Sequence, residues 1–198
     1  HHANSYTCRN ASNAIVPYSL NCTTTEYGDS WDIMGGSSQA HLNAAHKAEI
    51  GWLTNQNSIT ASQGNYILKP MELILPPGEV QQIRVPMSPN VYFTLEWRQP
   101  YDYDSSLPSY IHNGVSIRVA TYYNSSFSFK QTNILDFNST SSYSQPLSIG
   151  NSFLDKVYMY NITFNGITQN GASVTIGILN NGSGNGSGNV SGNASSCK

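Results

Sequence analysis

Charge is the scarcest property of this chain: Asp, Glu, Lys and Arg together make up 10% of its 198 residues, and the net charge is −2. Lys and Arg form no cluster, so the basic footprint that a nucleic-acid binder needs is missing, and that class of function is excluded. Cysteine is nearly absent as well. The three cysteines, Cys8, Cys22 and Cys197, include no Cys-x-x-Cys pair and no Cys/His spacing of the zinc-ribbon kind. No apolar run of about 20 residues is present to cross a membrane as a helix, and no signal peptide opens the sequence. The five histidines, His1, His2, His41, His46 and His112, contain no His-Glu-x-x-His spacing, so no catalytic constellation is complete within the chain.

What is present is neutral polarity. Asn, Ser, Thr, Gln and 13 Tyr keep the chain soluble through groups whose state hardly changes with pH, which fits an extracellular or cell-surface location, including an acidic one. Asn-x-Ser/Thr triplets occur at Asn10, Asn21, Asn124, Asn138, Asn161, Asn181, Asn185, Asn189 and Asn193. These are candidate N-glycosylation sites, with N-linked glycans as the expected modification. In that compartment Cys8 and Cys22 close a short loop and are the natural disulfide, contributing about 3 kcal/mol by loop closure. Cys197 is then left over. A secreted chain without its signal is expected to have been processed or truncated, and the start "HHANSY" also has a bland reading as the remnant of a purification tag.

The pattern changes along the chain. Residues 1 to about 37 carry turn residues and the cysteine pair without a sustained period, and read as loop. In "SSQAHLNAAHKAEIGWL", residues 37 to 53, Ser38 is a suitable N-cap. Leu42, Ala45, Glu49 and Trp52 follow helical spacing there, and Ile50 and Leu53 complete an apolar side. His41 and His46 fall five residues apart, about 140° around such a helix, which is wrong for a shared metal and suits exposed or cap-side polar residues.

From about residue 64 the period is two. "VYFTLEWR" puts Val91, Phe93, Leu95 and Trp97 on one face and Tyr92, Thr94, Glu96 and Arg98 on the other; "GVSIRVAT" repeats the alternation with Val115, Ile117 and Val119. "NYILK", "MELIL", "EVQQIRV", "FSFK", "TNILDF", "KVYMYNITF" and "ASVTIGIL" are further strands between Pro, Gly and Asn punctuation. The expected fold is mainly β, an antiparallel sandwich over 61–179 preceded by a loop and one helix in 1–60. Residues 180–198, Gly/Ser/Asn-rich with one Val, read as a flexible glycosylated stalk leading to a membrane anchor or a further domain.

One stretch stands apart. "EYGDSWDIMGG", residues 26 to 36, packs three carboxylates around Tyr27 and Trp31 and closes on Met34 and two glycines. With "HHANSY" before it and "AHLNAAHKAEIGWL" after it, it resembles the region following the zinc helix in metzincin metallopeptidases of the gametolysin-like branch. "VYFTLEWRQPYDYDSSLPSYIHNGVSIRVA" resembles later parts of such enzymes, so the likeness covers roughly residues 1 to 120.

The resemblance implies a remnant of a metzincin catalytic domain in 1–60. His2 would be the last zinc histidine, Met34 the Met-turn methionine beneath the metal, and Asp29 and Asp32 turn residues bonded to backbone N–H groups. The other two histidines and the general-base Glu would precede residue 1. Zinc would then belong to the complete enzyme, with a peptide or protein substrate. No catalytic residue lies in this chain, which alone is expected to hold no metal and to be inactive. Against that reading stands a non-catalytic extracellular β-rich subunit, adhesive or filament-forming, in which an unpaired strand edge recruits a neighbour. Carbohydrate binding through Tyr and Trp is a third reading, resting on composition.

Overall fold

The structure, a computed structural model, describes residues 2–37, 39–122, 129–138 and 144–179. In chain order its strands are β1 (His2–Arg9), β2 (Ile15–Val16), β3 (Cys22–Thr25), β4 (Ser58–Thr60), β5 (Gly64–Leu68), β6 (Gln82–Ser88), β7 (Val91–Trp97), β8 (Gly114–Tyr122), β9 (Phe129–Ile134), β10 (Leu147–Ser148), β11 (Ser152–Asp155), β12 (Tyr160–Thr168) and β13 (Gly171–Ile178). Two short helices, α1 (Ala44–Glu49) and α2 (Ser109–His112), and a 3-10 turn at Asp102–Ser106 complete the described elements.

The strands form two sheets. The larger runs β2-β1-β9-β8-β7-β6-β4, with β3 also on β1 and β10 also on β8; the smaller runs β11-β12-β13-β5. All pairs are antiparallel except β1 with β9 and β4 with β6. The alternation read from the sequence sets the register: Phe93 faces Val119 and Leu95 faces Ile117 across β7 and β8. With Ile83 and Val85 of β6 these side chains meet Phe153, Ile162, Phe164, Val174 and Ile176 of the smaller sheet in one apolar core. The mainly β expectation therefore holds, as two packed sheets with few helices.

Three expectations are corrected. Residues 2–25 supply three strands rather than loop, because β1 pairs in parallel with β9 more than 120 positions away, a contact that no local period announces. The helix is α1 alone. Asn43 caps it by accepting from the His46 N–H at 3.0 Å, Ile50 and Trp52 lie outside it and exposed, and Gly51 takes a φ of +82° just past its end. Ser38 lies outside the described residues. "MELIL" is not a strand: Met71 and Glu72 are buried in a turn, where the Met71 carbonyl accepts from the Lys47 ammonium at 2.7 Å.

Cys8 and Cys22 form the disulfide, tying β1 to β3 at facing positions. Among the sequon asparagines, Asn10, Asn21 and Asn138 are exposed and Asn161 is half-buried on β12; Asn124, Asn181, Asn185, Asn189 and Asn193, together with Cys197, lie outside the described residues.

Candidate functional site

The acidic turn folds onto β1 by backbone bonds in both directions. The Ala3 N–H donates to the Met34 carbonyl at 2.9 Å, and the Asp29 N–H donates to the Ala3 carbonyl at 3.2 Å. Gly35 is required by this approach, since a Cβ there would lie 2.2 Å from the Asp29 carbonyl oxygen and 2.7 Å from that of Ala3. Tyr27 adopts a φ of +56° and its N–H donates to the Asn4 side chain.

The two aspartates bond the turn as the sequence suggested: Asp29 Oδ1 accepts from the Trp31 N–H at 3.0 Å and Asp32 Oδ1 from the Met34 N–H at 2.6 Å. They also do more. Asp29 Oδ2 pairs with Arg118 Nε at 2.7 Å, and Asp32 Oδ2 takes the Asn43 N–H at 2.6 Å and His46 Nδ1 at 3.1 Å. His46 is thus buried, so of the exposed and cap-side positions expected of it only the second is met, through its N–H to the N-cap Asn43. The reason is that the large sheet is covered on both faces, so the "polar" face of β7 and β8 becomes a second interior. On that face Glu96 bridges Arg98 Nε at 2.8 Å and an Arg118 terminal nitrogen at 2.5 Å, while its other oxygen accepts the Ala44 N–H at the start of α1. Arg98 reaches on to Asp104 at 2.7 Å, and Asp104 accepts the His41 N–H at 2.7 Å.

Asp29, Arg118, Glu96, Arg98 and Asp104 thus form one chain of ion pairs, with the Asp32–His46 pair, Glu72 and Lys47 buried beside it. Burial opposes ionisation of Glu96, Asp32 and Asp104, yet their partners prevail. Arg118 and Arg98 hold Glu96 below its ordinary value, the His46 hydrogen bond does so for Asp32, and Arg98 for Asp104. Burial wins at Asp29, which is raised despite Arg118. It wins most clearly at Glu72, pushed up to about 9 by desolvation and by the neighbouring Asp104 carboxylate, so that Glu72 is an uncharged acid at neutral pH.

Glu72 and His41 line a cleft of about 670 Å³ whose walls are Trp52, Leu53, Met71, Leu73 and Ile74. Burial lowers the His41 pKa, keeping its imidazole neutral. Perturbed acids beside a cleft are a recognised mark of functional sites, but ion-pair frameworks carry the same mark. Here both Asp104 oxygens are committed to structural donors, and Glu72 Oε1 accepts the Gln99 N–H at 3.1 Å. The arrangement holds loops to a sheet, and it leaves Glu72 Oε2 and His41 Nε2 buried without a hydrogen-bond partner at the cleft.

The structure brings His2 and Met34 to the same corner through the Ala3 to Met34 bond, but not as a metal centre. His2 Nδ1 pairs with Glu26 at 2.7 Å and Nε2 bonds the Tyr27 hydroxyl at 2.9 Å, so both ring nitrogens are engaged. Met34 is 39% exposed. The residues present do not fit a zinc ion: one histidine with both nitrogens committed is too little, and among the described residues no group of three or more His, Cys, Asp or Glu side chains is arranged to hold a metal. Sequence reasoning missed the ion-pair chain. Glu96, Arg98 and Arg118 alternate like solvent-facing residues, and only their rarity in so uncharged a chain hinted at pairing.

Compared with protein-family models, with curated proteins and with solved structures, the chain gives no match.

Proposed function

We propose that this chain is a non-catalytic, extracellular β-sandwich subunit that works through its surfaces, as a building block of an adhesive or filamentous assembly. One observation carries the reading: the outward face of the smaller sheet is ordered and uncharged. Asn165 Nδ2 donates to Ser173 and Thr175 hydroxyls at 3.2 and 2.9 Å, Thr175 donates to Asn65 Oδ1 at 2.7 Å, and the Ser152 and Thr163 hydroxyls bond at 2.7 Å. This ladder holds no ionisable group, so it keeps its form from acid to neutral pH and sets up no charge repulsion against a copy of itself. The charges of the ion-pair chain lie inside, as supports for the loops. Negative-stain imaging of the purified chain tests the proposal: ordered assemblies are expected, and a field of single particles at every concentration counts against it.

The metallopeptidase reading keeps one supporting observation, the contact that sets Met34 beside His2. It needs two more histidines and a Glu from residues upstream of His1, and it needs His2 released from Glu26 and Tyr27. Zinc analysis of a chain extended upstream decides it; absence of bound metal there ends the reading.

A further inference from the structure

The cleft beside Glu72 holds a buried cation that the chain of ion pairs leaves out. Lys47 of α1 is 5% exposed, and its ammonium donates to the Met71 carbonyl at 2.7 Å. Among the described residues no carboxylate pairs with it: Glu96 and Asp104 pair with Arg98, Asp32 with His46 and Asp29 with Arg118. Glu72, the remaining buried acid at the cleft, is uncharged at neutral pH. Burial lowers the Lys47 pKa, the direction expected of an ammonium short of a counter-ion. Buried charges are normally paired, because an unpaired one is costly.

Two further polar atoms at the cleft lack partners. Glu72 Oε1 accepts the Gln99 N–H at 3.1 Å, so the proton of the neutral acid belongs on Oε2, which is buried with nothing to donate to. His41 Nε2 is buried and unpartnered as well. Lys47 interacts electrostatically with both Glu72 and His41, so the three groups stand together. An ammonium and a carboxyl O–H are both donors. What the cluster lacks is an acceptor that carries negative charge.

The rest of the cleft is apolar. Its walls are Leu53, Met71, Leu73, Ile74 and Leu75, with Trp52 as the one aromatic side chain. Ile74 and Trp52 are 102% and 66% exposed, so two large apolar groups face water beside the cluster. Gln81 Nε2 holds the Pro70 and Leu73 carbonyls at 2.8 Å each, which fixes this wall before any ligand arrives. The volume, about 670 Å³, suits a small molecule. Branched aliphatic walls favour a flexible hydrocarbon chain over a sugar ring, which needs flat aromatic faces and many hydrogen-bonding side chains. The exposed Asp102 also lines the cleft, and its charge disfavours a second acid group on the ligand.

We propose that this cleft binds an aliphatic monocarboxylate, with the carboxylate at the Lys47 ammonium and Glu72 Oε2 and the hydrocarbon chain along Leu73, Ile74 and Trp52. The site lies apart from the uncharged face of the smaller sheet and stands whether or not copies of the chain assemble.

The test is titration of the full chain with decanoate below its micelle-forming concentration, read by calorimetry and by the fluorescence of Trp52, since Trp31 and Trp97 are buried. Saturable binding at one site is expected. Decanol, the same hydrocarbon without the charge, should bind at least about tenfold more weakly. Lys47→Met should weaken decanoate at least about tenfold and leave decanol unchanged, so that the preference for the acid disappears; a lysine with a merely structural role would weaken both alike. Ile74 is fully exposed, so Ile74→Asp should keep the parent circular dichroism while weakening both ligands at least about tenfold. That variant and the decanoate-to-decanol ratio of the parent decide the matter even if Lys47→Met does not fold. No saturable binding of decanoate, equal affinity for decanoate and decanol in the parent, or decanoate binding untouched by Ile74→Asp overturns the site. Saturation by glucose in place of decanoate overturns it in favour of a sugar.

Discussion

At the scale of single residues, Arg118 holds the acidic turn to the sheet. Its side chain meets Asp29 from the turn and Glu96 from β7 in a space closed to water. Removing one partner of such a group strands the others as buried charges, which is costlier than the pair was favourable. Arg118→Met should therefore destabilise the chain by about 3–5 kcal/mol in urea unfolding, with the two carboxylates left behind as the cause. Adding Asp29→Asn to the Arg118→Met variant should recover part of that loss, because it removes one stranded charge.

Glu72 makes a prediction of opposite sign in pH. Its folded value is raised from 4.5 to about 9, so the folded chain holds a proton that the unfolded chain releases. The stability it contributes is full below 4.5 and is lost as pH rises toward about 9. Asp32, Glu96 and Asp104 are shifted down, so their contribution is present above the ordinary carboxylate range and is lost only when pH falls through their lower folded values. His41, lowered, works against acid stability below its ordinary value of 6.5. Urea midpoints for the parent should fall between about pH 5 and 9, and Glu72→Gln should flatten that fall, since an amide has no proton to lose. An unchanged slope in the variant would remove Glu72 as its source.

At the scale of elements, the turn and the β1–β3 disulfide can be tested separately. Gly35→Ala drives a Cβ toward two carbonyl oxygens at 2.2 and 2.7 Å, neither of which is the end of a flexible side chain. The expected loss is about 1–3 kcal/mol, read as a drop in thermal midpoint. Reducing Cys8–Cys22, which are 14 positions apart, should cost about 3 kcal/mol and free β3 before the rest of the large sheet. Hydrogen exchange under reducing conditions would locate that loss.

The elements also show what the sequence made legible. β7, β8, β12 and β13 alternate cleanly because one of their faces meets the apolar core, and that face is what a period-two pattern reports. β1 escaped notice because its buried residues, Ala3, Asn4 and Cys8, are small or polar, and its main partner is β9, far along the chain. The α1 region looked longer than it is because Ile50 and Trp52 keep helical spacing while facing solvent. The aspartate-to-backbone bonds of the turn could be read from residue type. Arg118, Arg98 and Glu96 as their partners could not, since alternation gives the face of a strand and not what covers it.

At the scale of the whole molecule, a charged framework is buried on one face of the large sheet, while the outward face of the smaller sheet is uncharged. Asp29, Asp32, Glu96 and Asp104 hold loops and α1 to the large sheet, while the smaller sheet presents hydroxyls and amides. "EYGDSWDIMGG" belongs to the first of these as a clasp. The assembly proposed above rests on that uncharged face. Sedimentation velocity of the purified chain over a wide range of concentration, at mildly acidic and neutral pH, tests this most directly. The expected result is a weight-average sedimentation coefficient that climbs with concentration through an open series of species, at both pH values; a single monomer boundary throughout would contradict it.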